Sequence, residues 1–294
     1  MSRHDVARVA SALLYEGYML YPYRPTAVKN RRRFNFGIVS PPDGETPLMQ
    51  TECLVRGGPD TLISAQVRFL HLVDRTTDAT SWQEAVERDV RLMHCALGDR
   101  CRGTFTWPAS ETTDGAVVRR QHAIGCTIEL ASVALPAGVH RIRTRIVNET
   151  TPVSDDALLR SLISAHTILS VSCGEWVSLL DPPDELRAET AACSNIRTWP
   201  VLAGDPGQRG TMLSSPIILY DYPEIAAESA GDLFDATEID EILSLRVLTL
   251  TDDEQREMRH SDEHARRLLE RTQALTADDF MQMHGTMRRA DETR

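Results

Sequence analysis

Residues 126–148 read CTIELASVALPAGVHRIRTRIVN, and the fold follows from their pattern. In the second half, His140, Ile142, Thr144 and Ile146 fall on one side, and Arg141, Arg143 and Arg145 on the other. That two-residue period belongs to a strand with one covered face. The first half carries β-branched Thr127, Ile128 and Val133, which suit a pleated surface. Between them Pro136-Ala137-Gly138 allows only a tight reversal, so the two strands are expected to pair antiparallel. The arginine face should meet solvent or an acidic partner.

Upstream, residues 49–56, 65–74 (containing VRFLHLVD) and 116–124 share this β character, and 34–39 forms a short strand. Residues 81–97 read instead as a helix, because Trp82, Ala85, Val86, Val90 and Met93 recur on one side. At the N-terminus, Val6, Val9, Ala10, Leu13 and Leu14 predict an amphipathic helix over 5–20, which Pro22 and Pro25 forbid from continuing. Downstream, Ser154 should cap a helix over 155–166, with strands resuming at 168–172 and 175–180. A short helix over 184–193, a glycine-rich loop over 204–210 and a strand over 217–220 follow. Beyond Asp235 the chain reads as helical, with capping boxes at Asp235…Glu238 and Thr251…Glu254 and a further start at Thr276…Asp279. The expected fold class is α+β: a largely antiparallel β core with an N-terminal helix and a helical C-terminal segment. Residues 1–234 would form the core and 235–294 a helical segment packed on it.

With 294 residues, 41% of them apolar and 26% charged, the chain has the composition of an ordinary globular protein. No apolar run approaches the roughly 20 residues that span a bilayer, and acidic residues interrupt the first apolar stretch, unlike a secretory signal. A cytoplasmic location is expected. The net charge of −11 is uneven: residues 1–150 hold 19 Lys and Arg against 16 Asp and Glu (+3), and residues 151–294 hold 13 against 27 (−14). An acidic half repels phosphate backbones and anionic lipid, so nucleic acid and membrane are poor partners. The six cysteines show long, irregular spacings and no C-x-x-C, so buried free thiols are expected rather than disulfides.

No motif calls for a catalytic residue, a metal or a cofactor. His94, Cys95 and Cys101 lie close in sequence, as do His122 and Cys126, but neither set has the paired short spacings of structural zinc; a composite site from distant segments stays open. Ser214-Ser215 lacks the elbow of a nucleophilic serine, and Cys173-Gly174 reads as a strand end with a turn glycine. Arg209 sits in a loop without the Lys-Ser/Thr ending of a phosphate cradle. The carboxylates Asp221, Glu224, Glu228, Asp232, Asp235, Glu238, Asp240 and Glu241 include helix caps, and the rest read as a solvated or partner-binding surface. Two stretches stand out as contact surfaces. One is the aromatic and basic run with Tyr18, Tyr21, Tyr23, Arg31, Arg32 and Arg33. The other is the acidic junction with Tyr220, Asp221, Tyr222 and Asp232.

The same stretches carry a resemblance. ALLYEGYMLYPYRPTAVKNRRRFNFG (12–37), LSSPIILYDYPEIAAESAGDLFDATEIDEILSLRVLTLTDDE (213–254) and EWVSLLDPPDELRAETAACSNIRTWPVL (175–202) resemble an uncharacterised accessory protein family. That family is encoded with actinobacterial-type, high-affinity nickel–iron uptake hydrogenases. The likeness runs through Met283-His284-Gly285 and covers nearly the whole chain. Encoding alongside those enzymes implies participation in hydrogenase assembly, maturation or attachment, and the leading expectation is a non-enzymatic accessory protein that binds a hydrogenase subunit or maturation factor. The resemblance supplies no catalytic residues. The alternative is a metal-handling protein or metalloenzyme with a composite Cys/His site.

Overall fold

A computed structural model describes residues 3–15, 36–78, 81–151, 157–224, 240–261 and 263–276. The chain divides into two compact units, Met1–Leu14 with Phe34–Glu224, and Tyr15–Arg33 with Ile225–Arg294.

The first unit is α+β. After helix α1 (Arg3–Tyr15) come ten strands: β1 (Leu48–Thr76), β2 (Ser81–Ala96), β3 (Arg100–Trp107), β4 (Ser110–Asp114), β5 (Val117–Gln121), β6 (Ile124–Ala134), β7 (Val139–Asn148), β8 (Ile163–Val177), β9 (Trp199–Leu202) and β10 (Thr211–Ser215). A short helix, α2 (Arg187–Ala191), precedes β9. All strand pairs are antiparallel, in the order β3-β6-β7-β1-β8-β10-β9, with β2 and β5 also on β1 and β4 on β5. The 126–148 hairpin forms as expected, Leu135 N bonding Val139 O across the turn and Ala137 taking the left-handed conformation that closes it. Its arginines face outward but find partners within the chain. Arg143 stands opposite Glu52 and Arg145 opposite Gln50 in the β1–β7 register, with Nε-to-Oε1 distances of 2.6 and 2.7 Å, and Arg141 bonds Glu189.

The two strands expected over 49–56 and 65–74 are halves of one 29-residue strand. It bends where its pairing with β8 slips between Gly57 and Leu62. Thr61, fully buried, holds the bend by donating to Cys173 O (2.6 Å) and accepting from Gly58 N (2.9 Å). A Cβ at Gly174 would lie 2.8 Å from Arg56 O, so only glycine fits there. The bend folds the sheet over itself. Odd residues of β1 face the interior along both halves: Met49, Val67 and Phe69 in one apolar cluster, Cys53, Val55, Ile63 and Ala65 in another.

The helix expected over 81–97 is a strand, β2, paired with β1 from Ser81 to Ala96. A helix of that sequence would leave one edge of β1 unpaired and could not bury Val90 and Leu92 against Phe105 and Ile128. Strands β3 and β4 were not expected. The helix over 155–166 is replaced, where described, by the single turn Leu158–Arg160, after which β8 takes residues 163–177 without a break. The strand placed at 217–220 lies earlier, at Thr211–Ser215, and pairs both β8 and an unexpected β9. Over 34–39, a bridge between Val39 and Leu162 is present. Cys95 and Cys101, expected as free thiols, form a disulfide: the turn from β2 into β3 brings their Cα atoms to 6.2 Å, within bridging range.

β2 and β3 follow each other yet share no ladder, since β2 pairs β1 and β3 pairs β6. Side chains close this seam instead. The disulfide lies at one end, Leu92 fills the space above Gly103, and the Arg88 guanidinium lies 5.5 Å from the Trp107 ring centre. On the outer face α1 buries Val6, Val9, Ala10, Leu13 and Leu14. It is tied to the sheet by Arg68, which donates to Ser11 Oγ (3.2 Å), and by Ser164, which donates to Leu13 O (2.9 Å).

In the second unit α3 (Asp240–Leu248), α4 (Asp252–Ser261) and α5 (Glu263–Gln273) bury Val247, Met258, Ala265, Leu268 and Leu269. The Thr251…Glu254 capping box forms: Thr251 N donates to Glu254 Oε2 (2.9 Å) and Glu254 N to Thr251 Oγ1 (3.4 Å). Asp235, Glu238 and Asp279 lie outside the described residues. Among the described residues no helix is long and apolar enough to cross a membrane.

Candidate functional site

Of the expected contact residues, Tyr18, Tyr21, Tyr23, Arg31, Arg32, Arg33 and Asp232 lie outside the described residues. Tyr220, Asp221 and Tyr222 are described, and they divide by role. After β10 the chain turns at Ser215, whose Oγ accepts from Ile217 N (3.2 Å) and donates to Ile217 O (2.6 Å). It then runs back to β9. There Asp221 Oδ1 accepts from Leu202 N (2.8 Å), its Oδ2 accepts from Ser178 Oγ, and Tyr222 N donates to Leu202 O (2.7 Å). Ser178 Oγ in turn accepts from the amides of Leu180 and Asp181. Both oxygens of Asp221 are thus committed to holding the chain.

Tyr222 takes a left-handed backbone (φ 58°) and packs against the core cluster that contains Trp176 and Met212. Tyr220, one residue before the anchor, is 87% exposed, and Ile218 is 72% exposed. A surface hollow of about 570 Å³ adjoins the start of this segment, lined in part by Pro216, Trp199, Arg197, Phe36 and Leu158. An apolar and aromatic surface is therefore held on a fixed backbone rather than on a loose loop.

The other candidates resolve into structural roles. Ser214 Oγ is buried between Thr51 Oγ1 and Thr198 Oγ1, each at 2.7 Å, with no histidine in that hydroxyl chain. Cys173 is exposed at the bend, left-handed (φ 55°), its carbonyl accepting from Thr61. The loop carrying Arg209 lies along β8, Arg209 O accepting from Trp176 N and Gly210 O from Val171 N. Burial pushes the Cys126 thiol up to about 12 and the Cys193 thiol up to about 11, and raises Cys53 as well, which keeps all three un-ionised and weakly nucleophilic. Among the described residues no three His, Cys, Asp or Glu side chains are grouped to hold a metal ion.

Sequence reading missed a polar cluster at the seam. His71 is fully buried on the inner face of β1, its Nε2 3.0 Å from His122 O and its Nδ1 3.5 Å from Arg88. Burial first, and then the Arg88 charge, lower its pKa to about 4. The neutral ring thus donates from Nε2 and accepts at Nδ1. His71, Arg88 and His122 come from β1, β2 and the connection between β5 and β6, so no local motif could announce them.

No protein-family model matches this chain, and no curated protein matches it.

Proposed function

We propose that this protein is a non-enzymatic accessory or assembly factor that acts by binding another protein, in the assembly or maturation of a nickel–iron hydrogenase in the cytoplasm. The partner in this reading is a hydrogenase subunit or maturation factor, which rests on the family resemblance of residues 12–37, 175–202 and 213–254. The observation that carries the binding role is the anchored segment after β10. Asp221 and Tyr222 fix its backbone on β9 while Ile218 and Tyr220 remain in solvent. Exposed aromatics on an ordered backbone cost little entropy to engage, which is how interface anchors work. The acidic residues that follow, through Asp232, would add charge steering toward a basic partner surface.

The alternative is a metal-handling protein with a composite Cys/His site; the disulfide between Cys95 and Cys101 occupies two of the sulfurs it could draw on. Reversing the charges of Asp232, Asp235 and Glu238 together tests the acidic part of the surface. Co-purification with a hydrogenase subunit should weaken while the circular dichroism spectrum stays unchanged. Undiminished co-purification would remove the acidic junction from the interface.

A further inference from the structure

Several arginines of the sheet meet carboxylates: Arg68 bonds Glu87 and Arg143 bonds Glu52 on the outer face, and Arg119 bonds Glu84 on the inner face, while Arg145 bonds the neutral Gln50. Arg88 combines partial burial with the lack of any such carboxylate. Its register partner on β1 is Phe69, which places it on the inner face, at the end of the seam away from the disulfide. Its NH2 donates to Gln121 Oε1 at 3.0 Å and approaches His71 Nδ1 at 3.5 Å, and its Cζ lies 5.5 Å from the Trp107 ring centre. Every one of these partners is neutral. Its Nε is buried without a hydrogen-bond partner, and among the described residues no carboxylate pairs with it. Burial accordingly lowers its pKa with no acid to offset the effect. A guanidinium partly removed from water without a counter-charge is costly, and a charge kept in that condition marks a place where an anion can bind. Trp107 and Gln121 are each only part buried, so the cluster is open to solvent.

We propose that Arg88 and Trp107, at the open end of the β2–β3 seam, form a binding site for a carboxylate, carried either on a small free acid or on an acidic side chain of a protein. The single positive charge matches one carboxylate group, and the N–H donors of NH1 are left to meet it. Gln121 and His71 hold NH2, leaving NH1 to meet the incoming oxygen. This site draws on different strands from the Tyr220 segment and does not depend on it.

The test is calorimetric titration of the full chain with glutarate, with a short acidic peptide and with inorganic phosphate. Saturable binding of glutarate or of the peptide is expected, weakened at least about tenfold in R88Q and unchanged in R209Q. Binding of glutarate would identify a free acid as the ligand, and binding of the peptide alone an acidic side chain. Absence of saturable binding to both, equal affinity in R88Q, or a preference for phosphate would overturn the proposal. Should R88Q fail to fold, R88M takes its place, since it keeps an apolar stem and loses the charge; equal affinity there would overturn the proposal too.

Discussion

Asp221 and Tyr220 are adjacent in sequence and opposite in consequence. Replacing Asp221 with Ala removes the acceptor for Leu202 N and Ser178 Oγ and should cost about 2 kcal/mol, measured by urea unfolding. Tyr220→Ala should leave stability within about 0.5 kcal/mol, because that side chain is exposed. A similar loss in both variants would contradict this division of labour. Two buried histidines set the pH response. His71 and His166 are fully buried and neutral, each with its pKa lowered to about 4, chiefly by burial. The unfolded chain takes up those protons near 6.5, so this stability is intact above that pH. It falls as pH drops from 6.5 toward 4, by up to about 3 kcal/mol for each group. Unfolding midpoints between pH 7 and 4.5 should show the slope, and His166→Leu should flatten it. At this scale the sequence spoke unevenly. It marked the Tyr220-Asp221-Tyr222 triplet as unusual, but only the fold separates an anchor from an exposed ring.

At the scale of elements, hydrophobic period decided what could be read. The 126–148 hairpin was legible because one face alternates without interruption. β2 was not, for two physical reasons. Its inward positions near the open end of the seam carry Glu84 and Arg88 rather than apolar residues. Then a bulge puts Met93 and His94 opposite Ser64, with His94 left-handed (φ 57°), so that inward parity changes before Cys95. What remains of the apolar set mimics a helical spacing. The cross-link that follows has a direct check. Thiol titration of unfolded, unreduced protein should find four of the six cysteines free, and all six after treatment with a dithiol. Six free thiols without reduction would exclude the bond. Closing a six-residue separation should contribute about 2 kcal/mol, read from unfolding of C95S/C101S. At the other end of the chain, Glu254→Ala breaks the Thr251…Glu254 box and should cost about 1 kcal/mol of helix stability, visible as reduced helical signal.

For the whole molecule, length, composition and the antiparallel hairpin were enough to give the α+β class. The topology was not accessible, because it depends on one strand, β1, bending and pairing with β7, β8, β2 and β5 along its length. Such a strand reads as two in sequence, since Gly57 and Gly58 look like an ordinary break. The contact surface proposed for the partner was half legible: its aromatic residues stood out, whereas the hollow beside them is built from residues as distant as Phe36 and Trp199. The most direct test of a binding role is co-purification from the native cell with wild-type protein and with an Ile218→Ser, Tyr220→Ala double variant of unchanged unfolding midpoint. The expected result is a hydrogenase subunit or maturation factor recovered with the wild type and lost or strongly reduced with the variant. Equal recovery with both would contradict the assignment of that segment as the interface, and recovery of no such partner with the wild type would contradict the accessory role itself.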